Sequence, residues 1–186
     1  AQKNNIKKPV LVGHSWGSIV ALEWASEYPD ELLGVVSVSG VNMPYSKLVE
    51  WLALAGILEP AVEIYSSNIA SIHFSSLIER FSQKVFTPQE IPKGYLQKVG
   101  VDLIRRDHTI LANSEDLAQT AIALATLAEK YPRLTLPVEV IHGEEDVFVR
   151  ASLHAYDFVT QLPNANLTIL KGVGHMAHHA DPYSVR

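Results

Sequence analysis

The sequence predicts an α/β fold in which a mostly parallel sheet carries an inserted, all-helical segment. Near both ends of the chain, short valine-rich runs bounded by proline or glycine alternate with segments of helical periodicity, as in sheets covered on both faces. Between residues 41 and 130 the strand-like runs stop and only helical spacing remains. The expected domains are therefore a core of residues 1–40 and 131–186 and a helical cap of residues 41–130.

The core elements follow in chain order. Four apolar runs are expected to be strands, namely residues 9–14 (PVLVGH), 34–40 (GVVSVSG), 137–143 (PVEVIHG) and 166–172 (NLTILKG). Gly17 to Tyr28 has the apolar spacing of a helix and stops at Pro29, and residues 151–162 are the expected helix between the last two strands.

The cap elements are read from leucine spacing. Three helices are expected, on Leu48, Leu52 and Ala55, on Leu96, Val99 and Leu103, and on Leu117, Ala121 and Leu124. Asn113 with Asp116 resembles a capping pair at the start of the last helix. The stretch at 86–95, FTPQEIPKGY, is expected to be a turn because it holds two prolines and a glycine.

Composition limits the possible partners and cofactors. The chain has 186 residues, is 47% hydrophobic and so can bury a core. A net charge of -5 without a basic stripe argues against nucleic acid or an anionic membrane surface as partner. The absence of cysteine excludes disulfides and thiolate metal sites, and no run is apolar for long enough to predict a membrane span.

The stretch VLVGHSWGS, residues 10–18, has the spacing G-x-S-x-G around Ser15. A strand that ends in a tight turn before a helix needs small residues there, and the turn projects the serine hydroxyl off the backbone. A hydroxyl becomes a good nucleophile only when a base takes its proton, and an imidazole does this best when an acid orients it. The sequence therefore predicts a nucleophilic serine with a histidine and an acid as partners.

Two later strand ends supply those partners. His175 follows a strand in the glycine-flanked stretch KGVGHMAHH, and Asp146 follows the strand at 137–143, with Glu144 and Glu145 beside it as alternatives. Ligands bind at the carboxyl edge of parallel sheets, so these loops are expected to meet there. His142 is expected to be a satisfied structural group, and His14 to pack beneath the serine turn.

These three motifs, in the chain order serine, acid, histidine, resemble the α/β-hydrolase fold superfamily in its serine-nucleophile branch. The resemblance implies that the backbone N–H of Trp16 contributes to an oxyanion hole, and that residues 41–130 form the family's helical cap. It also implies that a half-sheet and a second oxyanion donor lie outside this chain, which would make it an internal fragment. A closing helix is likewise expected beyond DPYSVR at its end.

The expected activity is hydrolysis of a carboxylic ester in a small or medium, largely apolar substrate, through an acyl-enzyme and without a cofactor. Carbon–carbon hydrolysis, peracid formation and acyl transfer use similar triads and stay open, as does a non-catalytic fragment or binding module. Metal binding by His175, His178 and His179 is disfavoured. Five residues are expected to line the substrate pocket, His14 being the alternative to its packing role: His14, Trp51, Phe74, Phe148 and Met176.

The resemblance also bears on association and location. It places the strand at 9–14 in the middle of a sheet, so in this chain alone that strand is an apolar edge with unpaired backbone groups. We expect either self-association or a missing N-terminal segment at that edge. A cytoplasmic location is expected, with a signal peptide left open because the resemblance places the native N-terminus outside the chain.

Overall fold

The computed structural model describes residues 5–45, 70–101, 103 and 106–185. These fall into two compact units, one drawn from Ala1–Pro44, Thr87–Gln89 and Leu124–Arg186, the other from Tyr45–Phe86 and Glu90–Ala123. The first unit holds a four-stranded sheet and the second is helical. None of the helices in the described ranges is long and apolar enough to cross a membrane.

The sheet confirms the predicted fold class. Its four strands are all parallel and lie in the order β1-β2-β3-β4. Their bounds are β1 Val10–His14, β2 Gly34–Val38, β3 Val138–Gly143 and β4 Ala165–Leu170. The two central strands are almost wholly buried. Among the described strands β1 pairs with β2 alone, and its Val12 is 63% exposed.

Five α-helices lie in the described ranges. Their bounds are α1 Gly17–Glu27, α2 Ala70–Phe86, α3 Tyr95–Lys98, α4 Asp107–Ala128 and α5 Ala177–Ala180. The expected helix at 151–162 is helical from 151 to 159, and Ser152–Asp157 within it is a π-helix. The core of the sheet unit includes Leu22 of α1 and the edge-to-face pair Tyr131 and Phe158, whose ring centroids are 4.9 Å apart.

Two expectations for the middle of the chain are wrong. Asn113 and Asp116 do not cap the last helix, because α4 begins at Asp107 and both residues lie inside it. The helix expected across Leu96 and Leu103 is one turn long, since Gly100 has a positive φ of 64° that ends the helical path.

Two further expectations for this part of the chain concern the turn at 86–95 and the first of the three predicted helices. Residues 87–94 form the turn that the prolines predict. The rings of Phe86 and Tyr95, the residues on either side of this turn, pack edge to face with centroids 4.8 Å apart. The helix on Leu48, Leu52 and Ala55 lies outside the described residues.

Candidate active site

Ser15 occupies a strained turn between β1 and α1. Its φ is 53°, the left-handed region that side chains other than glycine rarely adopt. The turn is held because Ser15 N–H donates to the carbonyl of Val38, and the Ser15 carbonyl accepts from Ser18 and Val41 N–H. The serine is therefore fixed at the carboxyl edge of the sheet.

The two glycines that flank Ser15 have different roles. A Cβ on Gly13 would lie 2.6 Å from the Gly17 carbonyl oxygen and 2.6 Å from Ser18 Cα, so only glycine lets α1 approach β1 this closely. At Gly17, a Cβ would meet no atom of the described residues within 4 Å. The expectation that both positions need a small residue therefore holds sterically for Gly13 and not for Gly17.

Ser15, His175 and Asp146 form a hydrogen-bonded line. His175 Nε2 lies 2.9 Å from Ser15 Oγ, and His175 Nδ1 lies 2.7 Å from Asp146 Oδ2. Because a carboxylate accepts, Nδ1 carries the proton and Nε2 is free to accept from the serine hydroxyl. Glu144 and Glu145, the alternative acids, are exposed on the same loop.

Asp146 is a buried carboxylate with several donors. Its Oδ1 accepts from the backbone N–H of Phe148 at 2.9 Å and of Val149 at 2.8 Å. Burial alone would raise the pKa of Asp146, but the hydrogen bonds from His142 and His175 and the charge of His175 outweigh burial and hold the pKa below its usual range. The carboxyl group is therefore ionised at neutral pH.

His14 lies beside the histidine loop rather than only beneath the serine turn. Its Nε2–H donates to the His175 carbonyl at 3.0 Å, and its ring centroid is 4.9 Å from that of His175 and 4.5 Å from that of His178. Burial lowers the pKa of His14 to about 4, although the bond to His175 raises it in part. An uncharged imidazole thus stands between the serine and histidine loops.

The remaining residues that the sequence predicts for the site are Phe148, Met176, Trp16, Trp51 and Phe74. The ring of Phe148 is partly exposed, 5.9 Å from the His175 ring between centroids, and Met176 is buried next to His175 in the chain. Trp16 is the N-cap of α1 and is 38% exposed. Trp51 lies outside the described residues, and Phe74 lies on α2 with its side chain outside the description.

A buried polar network beneath the serine turn has no counterpart in the sequence predictions. Ser18 Oγ donates to the Gly13 carbonyl at 2.8 Å and lies 3.1 Å from Ser37 Oγ, which in turn donates to Asn42 Oδ1 at 3.0 Å. Asn42 continues to the His154 carbonyl through its Nδ2 at 2.9 Å. Small polar residues inside the apolar runs were the available signal.

The described residues include no group of three or more histidine and acidic side chains arranged to hold a metal ion. His178 and His179 lie on the short helix α5, where their rings are in contact at a tilt of 49°, with centroids 4.5 Å apart.

Comparison with known proteins agrees with this architecture. The chain is 25% identical to the AB hydrolase superfamily protein YfhM of Bacillus subtilis, over 95% of this chain and 62% of that protein. It is 23% identical to a 2-hydroxy-6-oxononadienedioate/2-hydroxy-6-oxononatrienedioate hydrolase of a Pseudomonas species, over 98% of this chain and 62% of that protein. The chain thus spans about three fifths of the length of these relatives.

Among solved structures, a thermophilic esterase from Thermogutta terrifontis superimposes with a TM-score of 0.62 at 18% identity, covering 99% of this chain and 64% of that one. The family model for the alpha/beta hydrolase fold matches residues 1–182. The four-stranded parallel sheet and its helices agree with that description. The chain belongs to the alpha/beta hydrolase fold family.

Proposed function

We propose that this chain carries the catalytic residues of a serine hydrolase that cleaves carboxylic esters, with Ser15 as nucleophile, His175 as base and Asp146 as the acid that orients it. The observation that carries the proposal is the unbroken hydrogen-bonded line Ser15 Oγ, His175 Nε2, His175 Nδ1, Asp146 Oδ2, at 2.9 and 2.7 Å. The 2.9 Å separation between Ser15 Oγ and His175 Nε2 suits direct proton transfer.

The reaction divides into acylation and deacylation. Ser15 Oγ attacks the ester carbonyl carbon while its proton passes to His175 Nε2, and the same proton then leaves with the alcohol as the C–O bond breaks. Water next attacks the acyl carbon, gives one proton to His175 Nε2, and releases the acid as Ser15 regains its hydrogen. Asp146 stays ionised throughout and stabilises the imidazolium.

Trp16 is proposed to bind the oxyanion through its backbone N–H. It is the N-cap of α1, and the positive end of a helix dipole favours developing negative charge. Phe148, with its partly exposed ring near His175, is proposed as an apolar wall beside the acyl carbonyl. His14, whose ring lies 4.9 Å from that of His175, and Met176, the next residue in the chain, are proposed as further parts of that wall. An apolar acyl group would suit Phe148 and Met176.

A second candidate is carbon–carbon bond hydrolysis, which the name of the Pseudomonas relative favours. A 6-oxo dioate offers a ketone and no ester, so a hydrolase acting on it breaks a bond between carbons. Turnover of short- and medium-chain nitrophenyl esters, compared with turnover of a 2-hydroxy-6-oxo dienoate, separates the two candidates.

A fluorophosphonate probe tests the proposed nucleophile. We expect the probe to label the parent chain on the peptide containing Ser15, as located by mass spectrometry, with complete loss in Ser15→Ala. Labelling should fall by two orders of magnitude or more in His175→Ala, since general bases contribute roughly 100- to 10,000-fold. The controls are Ser184→Ala and His179→Ala, exposed residues of the same types, which should label like the parent. Labelling that survives in Ser15→Ala would refute the assignment.

A further inference from the structure

His142 is a buried titratable side chain that the proposed reaction does not use. It is the penultimate residue of β3, has no exposed surface, and is followed by Gly143. A Cβ on Gly143 would overlap the carbonyl oxygens of Val173 and Gly174. The end of β3 is thus packed directly against the loop that leads to His175.

The nearest hydrogen-bond partner of His142 shows which ring nitrogen carries the hydrogen. Nε2 lies 2.6 Å from the carbonyl oxygen of Val149. A carbonyl can only accept, so Nε2 carries a hydrogen. The same nitrogen lies 3.4 Å from Asp146 Oδ2, the oxygen that accepts from His175. One oxygen of the acid is therefore approached by an imidazole from each of two strand ends.

The backbone of Val149 links His142 to the other carboxylate oxygen of Asp146. Its N–H donates to Asp146 Oδ1 at 2.8 Å, and its carbonyl accepts from His142. Rotation of the Asp146 carboxyl group would strain bonds to both its oxygens, and movement of the loop would break the bond between His142 and Val149. The position of Oδ2 relative to His175 is thus tied to His142 directly, and again through Val149.

Space filling does not account for an imidazole at this position. The Nδ1 atom of His142 is buried with no hydrogen-bond partner among the described residues. An apolar ring would fill the same space without burying an unpaired nitrogen, which costs free energy. The chemical use of the side chain must therefore come through Nε2.

We propose that His142 is a positioning residue: its Nε2–H holds the Asp146 carboxylate and the loop to Val149 in the orientation that receives His175 Nδ1–H. The effect of His142 on catalysis rests on the proposed function, whereas its effect on the hydrogen bond between Asp146 and His175 does not. Both effects can be measured separately.

The test compares His142→Phe, which keeps a ring and loses the donor, with His142→Gln, which retains an amide N–H near the position of Nε2. The first readout is the fluorophosphonate reaction at Ser15, divided into probe affinity and maximal rate. The second is the low-field proton NMR resonance of His175 Nδ1–H, assigned by its loss in His175→Ala. Phe158→Leu is the control for general core damage, because Phe158 is fully buried and packs on Tyr131.

We expect His142→Phe to lower the maximal labelling rate about tenfold at unchanged probe affinity, since losing a weak hydrogen bond to a charged group is worth roughly that factor. The low-field resonance should shift or broaden. His142→Gln should restore most of the rate and the resonance, and Phe158→Leu should leave the resonance in place. If His142→Phe does not fold, His142→Asn, whose shorter amide cannot span the same distance, takes its place with the same expectation.

The outcomes separate the two proposals. A parent chain that labels at Ser15, with His142→Phe at the parental rate and an unchanged resonance, overturns the role of His142 and leaves the hydrolase intact. A parent chain that never labels refutes the hydrolase, and the resonance alone then decides whether His142 orients Asp146.

Discussion

Gln89 and Gly174 are joined by a hydrogen bond between segments 85 residues apart in the chain. The Gly174 N–H donates to Gln89 Oε1 at 3.1 Å, while Gln89 Nε2 donates to the Gly172 carbonyl at 2.7 Å. The side-chain amide thus pairs with the backbone on both sides of Val173, much as a neighbouring strand would. A Cβ on Gly174 would also overlap the Thr87 carbonyl oxygen, so the loop before His175 lies closely against residues 87–89.

The first prediction concerns this amide. Gln89→Leu removes both hydrogen bonds, each worth about 1 kcal/mol net, so the loop before His175 should open roughly tenfold or more often. Hydrogen exchange of the Gly174 amide should accelerate, and labelling of Ser15 should slow. Glu90→Ala, an exposed neighbour, is the matched control. Unchanged exchange at Gly174 in Gln89→Leu would contradict the prediction.

The extent to which the sequence predicts this site depends on how local each contact is. The strands, the serine turn and the loops of Asp146 and His175 follow from valine runs, glycines and strand ends, all of which are local signals. The contact of Gln89 with the histidine loop joins parts of the chain that no spacing rule relates. The turn at 86–95 is predictable from its prolines, but its neighbour in space is not.

The same distinction explains the outcomes for His142 and for the last cap helix. His142 lies in a predicted strand, but the direction of its ring toward Val149 and Asp146 depends on the path of the following loop. The capping pair Asn113 and Asp116 was the wrong start for α4, because polar residues on a helix interior can imitate a cap in sequence. For this reason a sequence predicts that a helix exists more reliably than it predicts where the helix begins or ends.

The second prediction compares the two glycines of the serine turn. Gly13→Ala should lower the free energy of unfolding by about 1–3 kcal/mol, because its methyl group would press on the backbone of Gly17 and Ser18. Gly17→Ala should be neutral or should raise stability by up to about 1 kcal/mol, since alanine favours a helix and its Cβ has space here. Urea unfolding of both variants measures the difference, and equal effects would show that the close approach of α1 to β1 is not the constraint.

The third prediction concerns acid stability and His154. Its Nδ1 accepts the N–H groups of Asn42 and Met43 at 3.2 Å each, so the buried ring is neutral. Burial, and then the charges of His142 and Arg150, lower the pKa of His154 to about 3, although Asp146 opposes this shift. At pH values between the ordinary histidine pKa of about 6.5 and this lowered pKa, the His154 side chain is protonated in the unfolded chain and neutral in the native one.

The sign of the pH dependence follows from that difference. The contribution of neutral His154 to the free energy of unfolding is fully present above about pH 6.5. It is lost as the pH falls toward 3, by at most about 1.4 kcal/mol per pH unit. His154→Asn keeps an acceptor near Nδ1 but does not titrate, so its unfolding free energy should fall less steeply between pH 7 and 5. His14, whose pKa is lowered to about 4, contributes in the same window and remains in both proteins. Identical slopes would contradict the placement of His154.

The last prediction concerns the outer edge of the sheet. β1 pairs with β2 on one side, and Val10 and Val12 are 48% and 63% exposed. A strand with exposed valines and an unpaired edge can pair with another chain, which native proteins prevent with charged residues or coverage. We therefore expect the 186-residue chain alone to self-associate through β1 at tens of micromolar. Val12→Lys places a charge on that strand and should shift the mass measured by light scattering toward the monomer, whereas Val147→Lys, at a similarly exposed valine distant in sequence, should not. Backbone exchange at 9–14 should be slow in the parent and fast in Val12→Lys. A monomeric parent with slow exchange at those residues would mean that another part of the same chain covers the edge.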